Sequence, residues 1–343
     1  MGGYNVAILG ATGMVGLEML RTVKKRGFPA ASLKLLASSR TAGKVLSFEG
    51  TEYPVALADP AAFAGIDIVL SSAGEAVSRE LAPEAVRRGA VVVDNTAEFR
   101  MDPDVPLVIP EINAHACRGH HGIIANPNCS TAIVLMALAP LRDVATIRRV
   151  VVSTYQSVSG AGKEAVDELD RQTEASFHGE VVPPGVFKKP IAFNVIPAIG
   201  SFREDGYTSE EVKMTFESRK ILELPELAVS CTCVRVPVRI GHSAAVNVEF
   251  DRPVSPQEVR ERLARSQGIR VVDDPATHLY PLPVDAAGED DVLVGRIRSD
   301  LSHPCGLNLW VAGDNLLKGA ALNAVQIAEC MVKDGLVARS KVS

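Results

Sequence analysis

The sequence predicts an α/β chain in two parts. A Rossmann-type doubly wound parallel sheet comes first, and an α+β region built on a mostly antiparallel sheet follows. Three observations carry this. Short, evenly apolar runs alternate with helical spacing through the first 130 residues. A glycine-rich turn follows the very first apolar run. Beyond residue 146 the apolar runs lengthen and become amphipathic, as suits strands with one covered face.

In the first part, residues 5–9 are a short apolar run closed by Gly10, and helical spacing follows over 17–23. Runs over 33–37, 66–71, 90–94 and 122–125 read as further buried strands, with a helix over 82–88. An apolar helix is expected over 130–141. Strands over 148–156, 228–237, 244–250, 291–298 and 308–312 then fit an antiparallel sheet, with helices over 162–177 and 256–266 lying on it. The stretch 179–197 is rich in Pro and Gly and reads as a long irregular connection. A last helix over 316–332 comes too late to stand alone and must dock on a core already built. Neither an internal repeat nor a low-complexity segment is visible.

A length of 343 residues suits two domains, and 47% hydrophobic with 22% charged residues allows a large core. The net charge of −5 leaves no basic excess to hold nucleic acid or an anionic membrane. No apolar run is long enough to span a bilayer. The start, Met1-Gly2-Gly3-Tyr4, lacks the basic-then-apolar order of a signal peptide and the Ser or Thr of a myristoylation site. Six cysteines, at 117, 129, 231, 233, 305 and 330, include no CxxC pair. That pattern argues for a reducing, cytoplasmic setting and for one special thiol. Cys231 and Cys233 alternate in a strand-like run and are expected in a core. His115, His120 and His121 lie near Cys117 and raise the question of zinc. They lack clean ligand spacing, so they read as surface histidines and no metal is expected.

The turn Gly10-Ala11-Thr12-Gly13-Met14-Val15-Gly16 joins strand to helix. Gly10 permits the tight turn, Gly13 lets N–H groups approach a pyrophosphate, and Gly16 lets the helix lie close to the strand. The spacing is GxxGxxG, and the same glycines fit a tight turn with no ligand. The second strand is followed by Ser38-Ser39-Arg40-Thr41, with no carboxylate for ribose hydroxyls. Arg40 and the hydroxyls suit a 2′-phosphate, so NADP is preferred over NAD, although a solvated loop arginine reads the same way. Ser72-Ala73-Gly74, after another strand, is small enough to let a dinucleotide pass.

Cys129 stands in Asn126-Pro127-Asn128-Cys129-Ser130-Thr131, between a strand-like run and an apolar helix. A helix N-terminus favours thiolate, and its N–H groups suit a developing oxyanion. A thiolate beside a nucleotide fold suggests aldehyde chemistry through a thioester. A small buried cap residue is the bland alternative.

The segments GATGMVG, NPNCST, YQSVSGAGKEA, IAFNVIP and GDNLLKGAALNAVQIAE occur in that order from Gly10 to Glu329. Together they resemble the aspartate-semialdehyde dehydrogenase family along nearly the whole chain. The resemblance implies NADPH-dependent reductive dephosphorylation of L-aspartyl-4-phosphate, on the route to lysine (through diaminopimelate), methionine and threonine. It implies Cys129 as nucleophile, His242 as general acid/base, Gln156 orienting the substrate and Asn128 helping the oxyanion or phosphate. It implies that Arg100 and Lys213 bind phosphate, Arg235 the substrate carboxylate and Glu210 its amino group. Ser159, Gly160 and Asn315 would lie around the nicotinamide. Glu210 and Lys213 share a helix face, yet adjacent Glu211 remains an alternative for the amine. The resemblance further implies an NADP-binding domain over 1–129, a catalytic and dimerisation domain over 130–314, and a C-terminal segment, 315–343, whose helix returns to the first domain. A homodimer, with inorganic phosphate as co-substrate, is expected. One departure is Asn95-Thr96-Ala97-Glu98-Phe99-Arg100, where the family often reads Ser-Ser-Ala-Phe-Arg; Glu98 is expected to point away from Arg100. N-acetyl-γ-glutamyl-phosphate reductase shares the thioester logic. Its cysteine sits in a Pro-Gly-Cys-Tyr-Pro-like turn, absent here, and its acylated substrate has no ammonium for an acid to bind.

Overall fold

The computed structural model describes residues 3–339. Met1, Gly2 and the last four residues of the expected C-terminal segment lie outside them. The chain forms two compact units. One comprises Met1–Pro127 with Ala320–Ser343, the other Asn128–Gly319.

The first unit opens with β1 (Tyr4–Leu9), helix α1 (Met14–Lys25) and β2 (Ala30–Ala37). The hairpin β3 (Val45–Phe48) and β4 (Thr51–Leu57) follows, then β5 (Ile68–Ser71), α2 (Glu75–Arg87), β6 (Val91–Asp94), the short α3 (Pro110–Asn113) and β7 (Ile123–Ala125). The sheet order is β3-β4-β2-β1-β5-β6-β7, parallel except for the hairpin. Val6, Ile8, Leu70 and Val93 are buried, as strands covered on both faces require. Strand order reverses at β1, so the C-terminal ends of β1 and β5 form the crevice where doubly wound sheets take ligands.

Two features of this unit depart from the sequence reading. Helix α2 starts at Glu75, where residues 82–88 were expected. Gly74, at φ 94°, starts it, and only Ser78, Leu81, Ala82 and Ala85 are buried, too sparse a stripe to read. The hairpin β3–β4 was not anticipated at all. Its strands are half exposed, and Glu49-Gly50 turns between them with positive φ at both residues.

The second unit contains α4 (Cys129–Leu138), β8 (Ile147–Gln156), α5 (Lys163–Phe177), α6 (Ser209–Leu222), β9 (Ala228–Arg235), β10 (His242–Phe250), α7 (Pro256–Ala264), β11 (Ile269–Val271), α8 (Pro283–Ala286), β12 (Val292–Ser299) and β13 (Gly306–Gly313). The sheet order is β11-β12-β13-β10-β8-β9. The three central pairings are antiparallel. The outer two, β8 with β9 and β11 with β12, are parallel. Parallel neighbours need a crossover, and α5 and α6 supply it between β8 and β9. Helix α4 packs on β10 and β13 and against α6, and nine of its ten residues are buried. It ends at Leu138, three residues short of expectation, where the chain tightens into a 3₁₀ turn through Ala139–Asp143.

The last expected helix is also divided. A π-helical turn, Leu317–Ala321, leads into α9 (Leu322–Lys333). Helix α9 belongs to the first unit, where Ala324, Val325 and Ala328 share a core with Met19, Leu20 and Val23 of α1.

The close approach of α1 to β1 depends on Gly16. A Cβ there would stand 2.2 Å from the Gly10 carbonyl oxygen, whereas one at Gly13 would stand at 3.4 Å from the same atom. Gly16→Ala is expected to cost about 1–3 kcal/mol by overpacking, read as a lower urea midpoint at unchanged slope. A midpoint equal to that of the unsubstituted protein would show that the helix shifts freely.

Candidate active site

The nucleotide crevice lies wholly in the first unit. A cavity of about 560 Å³ is lined by Gly10, Thr12, Gly13, Ser38, Ser39, Arg40, Ser72 and Ala73, together with Asp59 and Glu80. Gly10, at φ 82°, makes the turn, and a Cβ there would meet the backbone of Ser72 and Ala73. Gly13 caps α1 without a side-chain hydrogen bond, so Met14 and Val15 begin a helix whose positive end suits an anion. Thr41 does not line the cavity; its hydroxyl lies 3.4 Å from that of Thr12, which does. Ala11 is buried and its N–H donates to the Leu36 carbonyl, so it braces the turn instead of facing the crevice. Gly74, at positive φ, starts α2. Asp59, the carboxylate nearest in kind to a ribose ligand, spends Oδ1 on the Ala62 N–H.

In the second unit, Asn128 is the N-cap of α4. Its Oδ1 accepts from the N–H groups of Ser130 and Thr131, at 3.0 and 3.3 Å. This corrects one expectation: those two N–H groups are already satisfied and do not serve an oxyanion in this arrangement. The other end of Asn128 is held as firmly. Nδ2 donates to Glu210 and the backbone N–H to Glu217, both at 2.7 Å. Helix α6 therefore grips the turn before Cys129 at two points. Glu217 carried no signal in the sequence, since its partner is a backbone atom 89 residues away. On the far side, a Cβ at Gly319 would stand 2.9 Å from the Cys129 Cβ, so this glycine keeps room beside the thiol.

Gln156, Arg235 and His242 come from one end of three adjacent strands, β8, β9 and β10, with Gln156 opposite Arg235 in the ladder. Gln156 Oε1 accepts from the Thr154 hydroxyl, and Nε2 donates to Glu210 at 3.2 Å. The two adjacent acids differ in their partners. Glu211 completes a capping box with Thr208 and accepts the Cys233 N–H at 3.1 Å. Glu210 faces Gln156 and Asn128, with the partly exposed Lys213 ammonium 3.8 Å away. Arg235 is 6% exposed. Its Nη1 donates to the Ser157 carbonyl at 2.6 Å, and its buried Nε has no partner among the described residues. Burial pushes the pKa of this guanidinium down, while Cys129 and Glu210 pull it back up.

His242 is 1% exposed. Burial first, and the charge of Arg235 second, hold its pKa well below the usual histidine value. Nδ1 is met by both the N–H and the hydroxyl of Ser157, and Nε2 has no partner among the described residues. Gly160 lies against this edge: a Cβ there would be 3.2 Å from Nε2 and 3.0 Å from Arg235 Nη1. Asn315 Oδ1 accepts from Ser157, Ser159 and the Gly241 N–H. Ser157 was overlooked in the sequence, although it stands inside the segment YQSVSGAGKEA.

Arg100 belongs to the first unit. It is buried and donates to the carbonyls of Asn126 and Asn95 at 2.9 and 3.0 Å. Glu98 turns to Arg79, which takes both of its oxygens. Cys231 and Cys233 are buried neighbours on one strand face, their sulfurs 3.5 Å apart. Among the described residues no His, Cys, Asp and Glu side chains group as a metal site requires, and no helix is long and apolar enough to cross a membrane.

A capped thiol, an orphaned guanidinium edge and an orphaned imidazole nitrogen in one unit suit acyl chemistry, and the glycine crevice in the other suits a dinucleotide. Known families match in the same pattern. The model described as semialdehyde dehydrogenase, NAD binding domain, matches residues 5–120. The model described as semialdehyde dehydrogenase, dimerisation domain, matches residues 138–318. They define the class: an oxidoreductase built from an NAD-binding domain and a dimerisation domain of the semialdehyde dehydrogenase type.

Aspartate-semialdehyde dehydrogenase of Bacillus subtilis (strain 168) is 50% identical over 343 residues, covering 98% of this chain and 99% of that protein. The one of Aquifex aeolicus (strain VF5) is 51% identical, covering 98% and 100%. The crystal structure of aspartate semialdehyde dehydrogenase II from Vibrio cholerae superposes with TM-score 0.93 at 47% identity, covering 97% and 99%, and the same enzyme is solved complexed with ASA. The chain belongs to the aspartate-semialdehyde dehydrogenase family.

Proposed function

We propose that this chain reduces L-aspartyl-4-phosphate to L-aspartate-4-semialdehyde and inorganic phosphate, using NADPH and a thioester on Cys129. The observation that carries this reading is the pair of buried, unpartnered donors, Arg235 Nε and His242 Nε2, beside the Cys129 helix start. A buried donor left without a partner costs about 1–3 kcal/mol, so such groups await a ligand. The Nε edge of Arg235 is a fork for the substrate carboxylate, and Glu210 is the partner for its ammonium. Gln156, already hydrogen-bonded to Glu210, is proposed to orient the acyl group.

In the forward direction the Cys129 thiolate attacks the acyl carbon and the C–O bond to phosphate breaks. Lys213 and Arg100 are the cations proposed for that phosphate. NADPH, when bound, would supply the hydride for the thioester carbonyl. His242 is the proton carrier at the resulting oxygen as the C–S bond breaks and the aldehyde leaves. The cofactor would be held by the Gly10–Gly13 turn, the start of α1, and Ser72 and Ala73, with Ser159, Gly160 and Asn315 the residues proposed around the nicotinamide. Arg40, with Ser38 and Ser39, supports the phosphorylated cofactor, and a relative from Candida albicans, 26% identical, is solved with NADP. A homodimer is supported by the dimerisation-domain match and by exposed apolar side chains on the second unit, including Phe177 and Phe193. A thiolate nucleophile supports a reducing, cytoplasmic setting.

The test is reduction of NADP by the purified protein with L-aspartate-4-semialdehyde, with and without phosphate, beside Arg40→Ala. The expected result is phosphate-dependent reduction, with the preference for NADP over NAD falling about 10–100-fold in the variant, the worth of one charge-assisted contact. Absence of phosphate-dependent turnover would reject the substrate. An unchanged cofactor ratio would reject Arg40 as the phosphate ligand.

A further inference from the structure

Resting on the reading of Arg235 as the fork for the substrate carboxylate, we infer that Phe187 is a positioning residue for that fork, held in place by Glu168 and Gln172. Glu168 and Gln172 belong to helix α5, and Phe187 to the Pro- and Gly-rich connection that follows it.

Glu168 and Gln172 stand one helical turn apart on the inward face of α5, 1% and 5% exposed. Oxygens buried so deeply need donors, and the connection supplies them. Glu168 Oε2 accepts the N–H groups of Gly185 and Val186, at 3.0 and 2.5 Å. Its Oε1 accepts from Gln172 Nε2 at 3.1 Å. Gln172 Oε1 in turn accepts the N–H groups of Ile191 and Ala192, at 2.8 and 3.2 Å. All three oxygens accept, and every partner can only donate. A glutamine at 168 would set N–H against N–H whichever way the two amides turned.

The four backbone N–H groups bracket Phe187. Its ring packs with Val158, Ala165, Leu169 and Ile191. Arg235 Cζ stands over that ring, 5.9 Å from its centroid. Further along the same connection, Ile196 exchanges both backbone hydrogen bonds with Arg235, each at 2.9 Å. The Arg235 backbone is thus fixed by Ile196, its Nη1 by the Ser157 carbonyl, and one face of its guanidinium by Phe187. That leaves the Nε edge, which has no partner among the described residues, aimed in one direction before a carboxylate arrives. A fork ordered in advance loses less freedom on binding, so the ring acts on affinity without touching the substrate.

Phe187→Leu keeps an apolar side chain in the cluster and removes the ring. It is expected to raise KM for L-aspartate-4-semialdehyde about threefold to thirtyfold, the worth of one desolvated cation–π contact, with kcat and the KM for NADP little changed. Phe187→Tyr, which retains the ring, should restore the KM, and Glu168→Gln should raise it as Phe187→Leu does. The preference in kcat/KM for the semialdehyde over 3-aminopropanal, which lacks the carboxylate, should fall by the same factor in Phe187→Leu. A general loosening of the fold would lower both substrates alike. A readout without turnover is nitrogen-resolved NMR of the arginine Nε–H groups, with the Arg235 signal identified by its loss in Arg235→Lys. That proton should exchange with water at least about tenfold faster in Phe187→Leu, as local opening becomes easier. An unchanged exchange rate, an unchanged KM, or equal losses on the two aldehydes would overturn the proposal. If the unsubstituted protein fails to turn over the semialdehyde, the substrate reading falls, and the exchange rate still decides whether the ring holds the guanidinium.

Discussion

Cys129→Ala is expected to lower turnover by about 10⁶-fold, the scale on which removal of a covalent nucleophile acts, while the fold and cofactor affinity stay unchanged. The loss would be chemical. Alanine retains the Cβ that packs beside Gly319, and the helix start is capped by Asn128, not by the cysteine. Glu210 and Glu217 would still hold Asn128 in place. The check is a kcat measurement beside a fluorescence titration with NADP and a urea melt. Activity within 100-fold of the unsubstituted enzyme would place the thioester elsewhere, and Cys117, Cys231 and Cys233 are buried too deeply to take over. Burial pushes the Cys117 thiol up to about 12, far from a thiolate at neutral pH.

The second large effect is expected at Arg235. Lysine keeps the charge but replaces a planar fork with a point donor. Two charge-assisted bonds to a carboxylate are each worth about 1.5–3 kcal/mol, so Arg235→Lys should lower kcat/KM for the semialdehyde about 10²–10³-fold. Most of this should appear in KM. A smaller part should appear in kcat, because Nη1 also holds the carbonyl of Ser157, whose N–H faces His242. Steady-state kinetics on the variant decide it. If KM moves less than threefold, the substrate carboxylate is bound by another group and Arg235 is only a brace for the Ser157 loop.

Much of the architecture was legible in the residues themselves. Parallel strands are covered on both faces, so β1, β5, β6 and β7 appear as unbroken apolar runs that differ from the final elements by two residues or fewer at their starts. The strands of the second sheet alternate because one face meets α4 while the other, carrying Tyr155 and Trp310, is half exposed. The glycine turn was readable because its requirements are steric and local: positive φ at Gly10 and no room for a Cβ at Gly16. The hairpin β3–β4 escaped notice because exposed edge strands carry little apolar pattern.

Local pattern by itself determined that the first half is a doubly wound nucleotide-type sheet and that Cys129 opens a helix, since chain geometry and burial periodicity suffice for both. Which polar side chains work together was decided only by the tertiary structure. Glu210 and Glu211 are adjacent and chemically alike, and no local rule separates them. They point about 100° apart on helix α6. One direction meets Gln156 and Asn128, and the other meets the cap at Thr208 and the backbone of Cys233. The imidazole of His242 is likewise met by a backbone N–H 85 residues away. Hydrogen-bond partners at such separations leave no periodicity in a sequence, because they are fixed by which strands become neighbours and not by what either strand contains.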